Sequence, residues 1–268
     1  MRSEKAVSVP DGVLPIRTQP AECEKHGKFD QKVTVILGRE LKGGCPECLR
    51  AIAIEREESA KAEKAYALRL SLARKLGDAL IPKRFLSRTL DNYQVEHEEQ
   101  RRALKFCRHY VATFDQIREV GRCMVLIGKP GTGKTHLGVA MANELLHKTS
   151  RTAVYRTVGA VLQAIKATFD RKSELSESDI LSSLINPDLL VLDEIGVSKE
   201  QPSDFELTTL FAIINGRYER EAPTVIISNL GAGELGRAMG DRCVDRLREG
   251  GLIVVPFEWE SQRGKEGF

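Results

Sequence analysis

The fold of this chain is decided by one glycine-rich stretch, Gly128-Lys129-Pro130-Gly131-Thr132-Gly133-Lys134-Thr135. It spells GxxxxGKT and lies between the apolar run 123–127 and the helix-favouring segment 136–146. Glycines let such a loop turn its backbone N–H groups inward, and the N-terminus of the following helix adds partial positive charge. The pattern predicts a phosphate-binding loop. The alternative is a glycine-rich turn that happens to match it.

The loop predicts which residues contact a nucleotide. Lys134 is expected to reach the β- and γ-phosphates, and the Thr135 hydroxyl is expected to ligate Mg²⁺. The predicted nucleotide-contacting set is Gly128, Lys129, Pro130, Gly131, Thr132, Gly133, Lys134, Thr135 and His136.

A second chemical landmark is the acidic pair that follows the apolar run 189–192. This run predicts a buried parallel strand, and ligands of open α/β sheets bind at the carboxyl ends of such strands. Asp193 is expected to hold Mg²⁺ through water, and Glu194 to orient and deprotonate the attacking water. Asn229 ends the next apolar run, where it could contact the γ-phosphate or simply begin a turn.

A basic segment near the C-terminus, 240–248, predicts a short helix with several arginines. A basic run is usually a solvated face. The alternative is that one arginine completes the nucleotide site of a neighbouring subunit, where an added positive charge accelerates phosphoryl transfer by orders of magnitude.

The composition is that of a globular protein with a substantial core, since 41% of its 268 residues are hydrophobic and 29% are charged. A net charge of +3 permits nucleic-acid contact without requiring it. No apolar run reaches the ~18 residues of a membrane span, and the segment MRSEKAVSVPDG lacks the apolar core of a signal peptide. We therefore expect a cytoplasmic protein with no membrane partner, whose cysteines are metal ligands or buried thiols.

The N-terminal segment carries two short-spaced ligand pairs, Cys23-x-x-His26 and Cys45-x-x-Cys48. Three thiolates and one imidazole on two turns meet the demands of a tetrahedral Zn²⁺ site, and the apolar run 33–37 between them suggests a strand. Because four protein ligands close the coordination shell, the predicted zinc is structural. The alternative is a set of unrelated surface cysteines.

The rest of the chain predicts helices, a linker and parallel strands. Residues 1–20 are expected to be a flexible arm, and 47–76 a long helix that is either a solvated spacer or a partner-binding surface. Residues 95–118 predict one amphipathic helix, and Asp204 is expected to cap the helix 205–218. Strands are predicted at about 123–127, 152–157, 189–193, 224–228 and 252–255. Strands alternating with helices predict an α/β fold with a mostly parallel five-stranded sheet covered on both faces.

Five motifs together resemble the DnaC family of replicative helicase loaders, within the AAA+ P-loop ATPases. They are GKPGTGKTHLGVAMANEL, LLVLDEIG, VIISNL, GDRCVDRLR and PFEWESQR. The resemblance covers about residues 80–263, and the CxxH…CxxC start is similar to the zinc-bearing N-terminus of phage-type members. Its most specific part is the arginine-rich box joined to the F-x-W-x-S-x-R ending.

The resemblance implies roles for individual residues. It implies Walker A at Lys134 and Thr135, Walker B at Asp193 and Glu194, sensor 1 at Asn229, the arginine finger at Arg246 with Arg242 beside it, and a sensor-2-like position at Arg263. It further implies ATP hydrolysis with Mg²⁺ at subunit interfaces.

The same resemblance implies partners for two predicted domains. Residues 1–76 would form the zinc-binding module and helix that grip a hexameric helicase of the DnaB type. Residues 77–268 would form an ATPase domain that oligomerises and contacts single-stranded DNA. Two other functions stay open: a transposition accessory ATPase of the similar IstB family, and an ATP-binding adaptor with little turnover.

Overall fold

The computed structural model describes residues 17–36, 39–170, 172–196 and 201–263. The chain divides into two compact units, Met1–Leu70 and Ser71–Phe268. Within the described part of the chain, no helix combines the length and apolar character needed to cross a membrane.

The first unit contains a small antiparallel sheet of β1 (Arg17–Cys23), β2 (Gly27–Ile36) and β3 (Arg39–Lys42), in that order. Gly27 has a φ of +74°, so the β1–β2 turn uses a conformation that glycine adopts without strain. The predicted flexible arm is wrong for residues 17–20, which belong to β1, while 1–16 lie outside the described residues, as does Leu37 of the predicted strand.

The long predicted helix is present as α1, which runs from Pro46 to Asp78. Its sequence has no proline after the first turn and many opposite charges three or four residues apart, such as Glu57 and Lys61 at 2.8 Å. Several large apolar side chains on its first-unit portion are exposed, namely Leu49, Ile52, Ile54, Tyr66 and Leu70.

The second unit alternates strands and helices around one sheet. In chain order its elements are a 3-10 turn at Lys83–Phe85, α2 (Glu98–Ala112), α3 (Phe114–Glu119), β4 (Cys123–Gly128), α4 (Lys134–Lys148), β5 (Ala153–Thr157), α5 (Val158–Ala167), α6 (Glu177–Ile185), β6 (Leu189–Ile195), α7 (Asp204–Tyr218), β7 (Thr224–Ser228), a 3-10 turn at Ala232–Glu234, α8 (Leu235–Met239), α9 (Asp241–Glu249) and β8 (Leu252–Phe257). The sheet order is β5-β6-β7-β4-β8 and every pairing is parallel. The prediction of a parallel five-stranded α/β sheet is therefore confirmed.

The core lies on both faces of this sheet because side chains alternate along each strand. On β4, Met124 and Leu126 join the cluster that includes α2 and α4, whereas Val125 and Ile127 join the cluster that includes α5, α7 and α9. Gly138 lets α4 lie close to the sheet, since a Cβ there would be 2.6 Å from Ile227 Cδ1. The close packing holds the N-terminus of α4 against the end of β4.

Two helix boundaries differ from the sequence prediction. The predicted helix 95–118 is two helices, α2 and α3, separated at Thr113, whose hydroxyl donates to His109 O at 2.8 Å and competes with the helical backbone. The predicted Asp204 cap is also wrong, because Ser203 Oγ accepts the Glu206 N–H and Asp204 is the first helical residue. Serine in this position satisfies one of the free N–H groups of the first turn.

Candidate nucleotide site and metal centre

The glycine-rich loop joins β4 to α4 and is held against β8 and the C-terminal tail. Gly128 has a φ of +128°, and a Cβ there would be 2.2 Å from Phe257 O, so only glycine fits. Lys129 N donates to Phe257 O at 3.1 Å, and Trp259 Nε1 donates to Thr132 O at 3.0 Å. The loop is therefore supported from outside while its concave side faces a cavity.

Lys134, at the start of α4, lies within the curve of the loop. Its Nζ donates to Gly128 O at 2.7 Å and to Lys129 O at 2.6 Å. Burial lowers the pKa of Lys134 to about 8, and anionic phosphates beside it would raise that pKa again. The loop and its lysine are thus arranged to receive negative charge.

Asp193, at the end of β6, is buried at the centre of three hydrogen bonds. Its Oδ2 accepts from Thr135 Oγ1 and from Tyr155 OH, both at 2.9 Å, and its Oδ1 accepts from Glu194 N at 2.7 Å. Burial and the Asp193 carboxylate together raise the pKa of Tyr155, so this phenol stays a donor. A hydroxyl and a carboxylate in direct contact form a set of oxygen ligands suited to Mg²⁺.

Glu194 differs from its neighbour because its side chain is exposed and its backbone has a φ of +65°. A positive φ is uncommon for a residue with a side chain, and at a functional site it aims the side chain in a direction that regular strand geometry would not allow. Asn229 follows β7 and is likewise exposed.

A cavity of ≈ 630 Å³ lies beside these groups. The predicted site residues that line it are Gly131, Thr132, Gly133, Lys134, Thr135, His136, Asp193, Glu194, Asn229 and Arg263. Gly128, Lys129 and Pro130 form the far side of the loop, and the Lys129 ammonium lies 3.1 Å from the Glu260 carboxylate. One cavity therefore unites most of the predicted nucleotide residues.

Sequence reasoning missed several residues that line the same cavity, because they come from the linker, β5, α2 and the tail. They are Arg84, Phe85, Arg88, Tyr93, Gln94, Gln100, Tyr155 and Gln262. Gln262 N donates to Gly131 O at 2.8 Å, while its buried Oε1 has no hydrogen-bond partner among the described residues. An unpaired buried acceptor is costly unless a ligand or water satisfies it. Tyr155 is the middle residue of β5 and no strand-end signal marks it, nor does any local pattern mark Gln262.

The linker is fastened along α4 by two polar side chains. Asn143 Nδ2 donates to three linker carbonyls, those of Phe85, Leu86 and Arg88, at 3.2, 3.3 and 2.8 Å. His136 Nε2 lies 3.0 Å from Thr89 O, an acceptor, and burial lowers the pKa of this imidazole. The predicted nucleotide residue His136 therefore directs its ring towards the linker.

Arg246 lies away from the nucleotide cavity of its own chain. Its guanidinium carbon is 4.5 Å from the centre of the Tyr218 ring, and its NH1 is 3.4 Å from Glu249 Oε2. It lines a separate cavity of ≈ 360 Å³, and Arg242 lines a third of ≈ 510 Å³. The structure thus brings neither Arg246 nor Arg242 to the loop, whereas Arg263 lines the nucleotide cavity.

The four predicted zinc ligands, Cys23, His26, Cys45 and Cys48, lie together in the first unit, with all ligand atoms within 4.8 Å of one another. His26 Nδ1 is 3.7, 3.6 and 3.3 Å from the three sulfurs in chain order, and the Cys23 and Cys48 sulfurs are 3.6 Å apart. Tetrahedral Zn²⁺ with Zn–S of about 2.3 Å and Zn–N of about 2.0 Å separates its ligands by about 3.5–3.8 Å. The donor set and spacing fit zinc.

The backbone supports this cluster as well. A hydrogen bond from the Lys25 backbone, together with His26, lowers the pKa of Cys23 to about 6. Backbone donors that favour the thiolate also favour metal binding, since the thiolate is the form that coordinates.

Comparison with known proteins identifies the family. The model described as IstB-like ATP binding protein matches residues 53–264. The replicative helicase loader DnaC of Escherichia coli strain K12 is 40% identical over 179 residues, which cover 66% of this chain and 69% of that protein. Its namesake in Buchnera aphidicola subsp. Acyrthosiphon pisum is 35% identical over 195 residues, covering 72% and 76%. The crystal structure of the DnaC helicase loader matches with a TM-score of 0.57 at 27% identity, covering 65% of this chain and 99% of that one.

The matched region contains the whole nucleotide cavity, from the linker to Arg263. The parallel sheet, the loop at the end of β4 and the acidic pair at the end of β6 are the features expected of an ATP-binding P-loop protein. The chain therefore belongs to the family of IstB-like ATP-binding proteins and DnaC replicative helicase loaders, within the AAA+ P-loop ATPases.

Proposed function

We propose that this chain is an ATP-dependent loader that binds a DnaB-type hexameric helicase and delivers it onto single-stranded DNA during replication initiation. The observation that carries the proposal is that the nucleotide-binding groups and the proposed arginine finger lie in two different cavities of the ATPase unit. The nucleotide cavity contains the loop, the acidic pair and Arg263, whereas Arg246 lies in a different cavity. Such a divided site suits an ATPase that assembles from several chains, and the curated relatives are named helicase loaders.

ATP hydrolysis would use the groups around Asp193. Thr135 Oγ1 and Asp193 Oδ2 would hold Mg²⁺, which neutralises charge on the phosphates when bound. Glu194 would orient and deprotonate the attacking water, while Asn229 would contact that water or the γ-phosphate. Lys134 and Arg263 would stabilise the phosphate chain. Gln262 Oε1, the unpaired buried acceptor, would receive the amino group of adenine.

Arg246 would act on the nucleotide of a neighbouring chain. A guanidinium supplied in trans stabilises the charge of the transferring phosphoryl group. This role ties hydrolysis to assembly, because an isolated chain would lack one cation of the complete site. ATP would then serve as a timing switch that holds the assembly until the finger engages.

The first unit would bind the helicase. Zinc on Cys23, His26, Cys45 and Cys48 would replace the hydrophobic core that so small a sheet cannot build. The exposed apolar side chains of α1 favour a partner-binding helix over a solvated spacer, since exposed apolar clusters commonly mark interaction surfaces.

Single-stranded DNA would meet the end of α5. Lys166 Nζ is 5.6 Å from the Phe205 ring centre, and Phe169, which is 63% exposed, packs edge-on against the same ring. Exposed aromatic rings beside cations are the usual platform for unpaired bases. Lys172 follows on the chain, whereas Arg171 lies outside the described residues.

The test is ATPase activity of the purified chain alone, with single-stranded DNA, with a DnaB-type helicase, and with both. We expect the highest rate with both and no activity in Lys134→Ala. A pull-down against helicase and against transposase separates the loader from the transposition accessory ATPase, which the curated relatives do not favour. Failure to bind helicase with or without ATP would refute the loader.

A further inference from the structure

We propose that Tyr218 is a positioning residue for Arg246. The Tyr218 ring packs against the face of the Arg246 guanidinium, so that N–H groups at the guanidinium edge stay available for the phosphates of a neighbouring chain. The inference rests on the proposed function, because it concerns the same arginine. Tyr218 ends α7 and Arg246 lies on α9, so the pair joins two helices that pack together.

The stacking geometry leaves the donors of the arginine available. Guanidinium has five N–H groups in its plane, and a ring packed on its face leaves them exposed at the edge, where the Tyr218 phenol itself interacts with Arg246 and the other donors stay available. Apart from Tyr218, the structure gives Arg246 one partner among the described residues, Glu249 at 3.4 Å. That contact is long and both side chains are partly exposed, so it contributes little. The guanidinium is thus oriented, and its remaining donors have no other partner among the described residues.

Two features fix the position of the Tyr218 ring, a neighbouring carboxylate and the anchored end of α7. Hydrogen bonding with the Glu249 carboxylate raises the pKa of the Tyr218 phenol, which places Glu249 beside both members of the stack. Tyr218 also follows Arg217, a fully buried side chain that donates to Thr224 Oγ1 at 2.9 Å and to Pro223 O at 2.7 Å. These bonds anchor the end of α7, so the ring is attached to a rigid element.

Pre-orientation has a predictable kinetic consequence. A free arginine side chain must give up rotamer freedom when it engages a phosphate, and a stacked one has already lost part of it. Cation–π contacts at partly exposed sites are weak, so removing this one is expected to slow hydrolysis by about three- to tenfold rather than abolish it. The affinity of each chain for its own ATP should not change, because Tyr218 does not line the nucleotide cavity.

The experiment compares Tyr218→Leu and Tyr218→Phe in the full chain, assembled with helicase and single-stranded DNA. We expect Tyr218→Leu to lower kcat about three- to tenfold with KM for ATP unchanged, and Tyr218→Phe, which keeps the ring, to stay near the parent. Mixing Tyr218→Leu with Lys134→Ala should restore part of the lost rate per Tyr218→Leu chain, because the Lys134→Ala chain supplies an intact stacked arginine to a neighbour that binds ATP. Tyr218→Gln, which also lacks a ring, provides the same readout if the leucine variant does not fold.

Other results would contradict either the arginine finger in the proposed function or the positioning role of Tyr218. If Arg246→Ala is as active as the parent, the trans finger in the proposed function is wrong and the positioning role falls with it. If Arg246→Ala is inactive while Tyr218→Leu keeps the parent kcat, only the positioning role is wrong. A rise in kcat for Tyr218→Leu would mean that the ring restrains the arginine instead of presenting it. A fall that the Lys134→Ala mixture does not restore in part would mean that the ring supports the fold.

Discussion

Asn143 offers a sharp stability test, because this one side chain fastens the linker to α4. It is 3% exposed, and its Nδ2 donates to Arg88 O at 2.8 Å and to two further carbonyls at 3.2 and 3.3 Å. The amide has two protons, so the short bond is well formed and the other two carbonyls share the remaining proton. The change Asn143→Ala removes all three contacts together.

The expected cost of Asn143→Ala follows from these contacts. Losing a buried hydrogen bond costs about 1 kcal/mol, and leaving a buried carbonyl without a donor costs about 1–3 kcal/mol more. Part of this cost is offset, because the buried Asn143 Oδ1 has no hydrogen-bond partner among the described residues. Removing that oxygen therefore removes the desolvation cost of an unpaired acceptor. The net loss in the free energy of unfolding of the ATPase unit should be about 2 kcal/mol.

The variant Asn143→Asp keeps the shape of the side chain and removes its amide donor. Asn143→Asp presents a carboxylate to the same three carbonyl oxygens, and an uncompensated buried charge costs about 3–5 kcal/mol. That carboxyl would have a raised pKa in the folded state, so the folded state would bind a proton that the unfolded state releases. The stability of Asn143→Asp should therefore rise as pH falls through the raised pKa, whereas Asn143→Ala should show no such trend.

The assay is urea unfolding followed by the fluorescence of Trp259, the single tryptophan, which contacts the loop through Thr132 O. Asn215→Ala is the matched control, because among the described residues the Asn215 Nδ2 bonds only to the exposed Glu219 carboxylate. This change should alter stability by less than about 0.5 kcal/mol. If Asn143→Ala were as stable as the parent, the donor contacts would contribute nothing and the reasoning would be refuted; an Asn143→Asp stability that does not change with pH would refute the buried-carboxylate step.

Three further predictions concern the sites. Cys48→Ser should reduce zinc from about one ion per chain and unfold the first unit, leaving ATP binding by the second intact, as measured by metal analysis and circular dichroism; a metal-free parent that is fully folded would contradict it. Glu194→Gln should keep ATP affinity but abolish turnover by the DNA-bound assembly; unchanged turnover in a phosphate-release assay would exclude Glu194 as the base. Gln262→Leu should weaken ATP binding about three- to tenfold with little effect on GTP, since guanine offers no amino group at the same ring position; an equal loss for both nucleotides in an equilibrium titration would remove its role in base recognition.

The sheet and the loop were predictable because their signals are local. A buried parallel strand is a short apolar run, so the five strands were found with small errors at their ends. The glycines of the loop are required by backbone conformation, as the φ of +128° at Gly128 illustrates. The cluster of three cysteines and one histidine that fits zinc was equally visible, because each pair of residues is separated by only two others in the chain.

Helix boundaries were less predictable because single hydrogen bonds decide them. At the end of α2 the Thr113 hydroxyl and N–H share one acceptor, His109 O, and Ser203 caps α7 in place of the adjacent Asp204. Several polar residues near a helix start can each act as the cap, and the sequence pattern does not choose between them.

The sequence by itself determined the parallel sheet, the glycine-rich loop and the two pairs of candidate metal ligands, since each depends on residues close together in the chain. Only the tertiary structure decided which distant side chains join them. The order β5-β6-β7-β4-β8 places Tyr155 beside Asp193, and the packing of linker and tail brings Asn143 to Arg88 and Gln262 to Gly131. Local sequence specifies backbone conformation and burial, whereas a long-range hydrogen bond has no partner until packing supplies one.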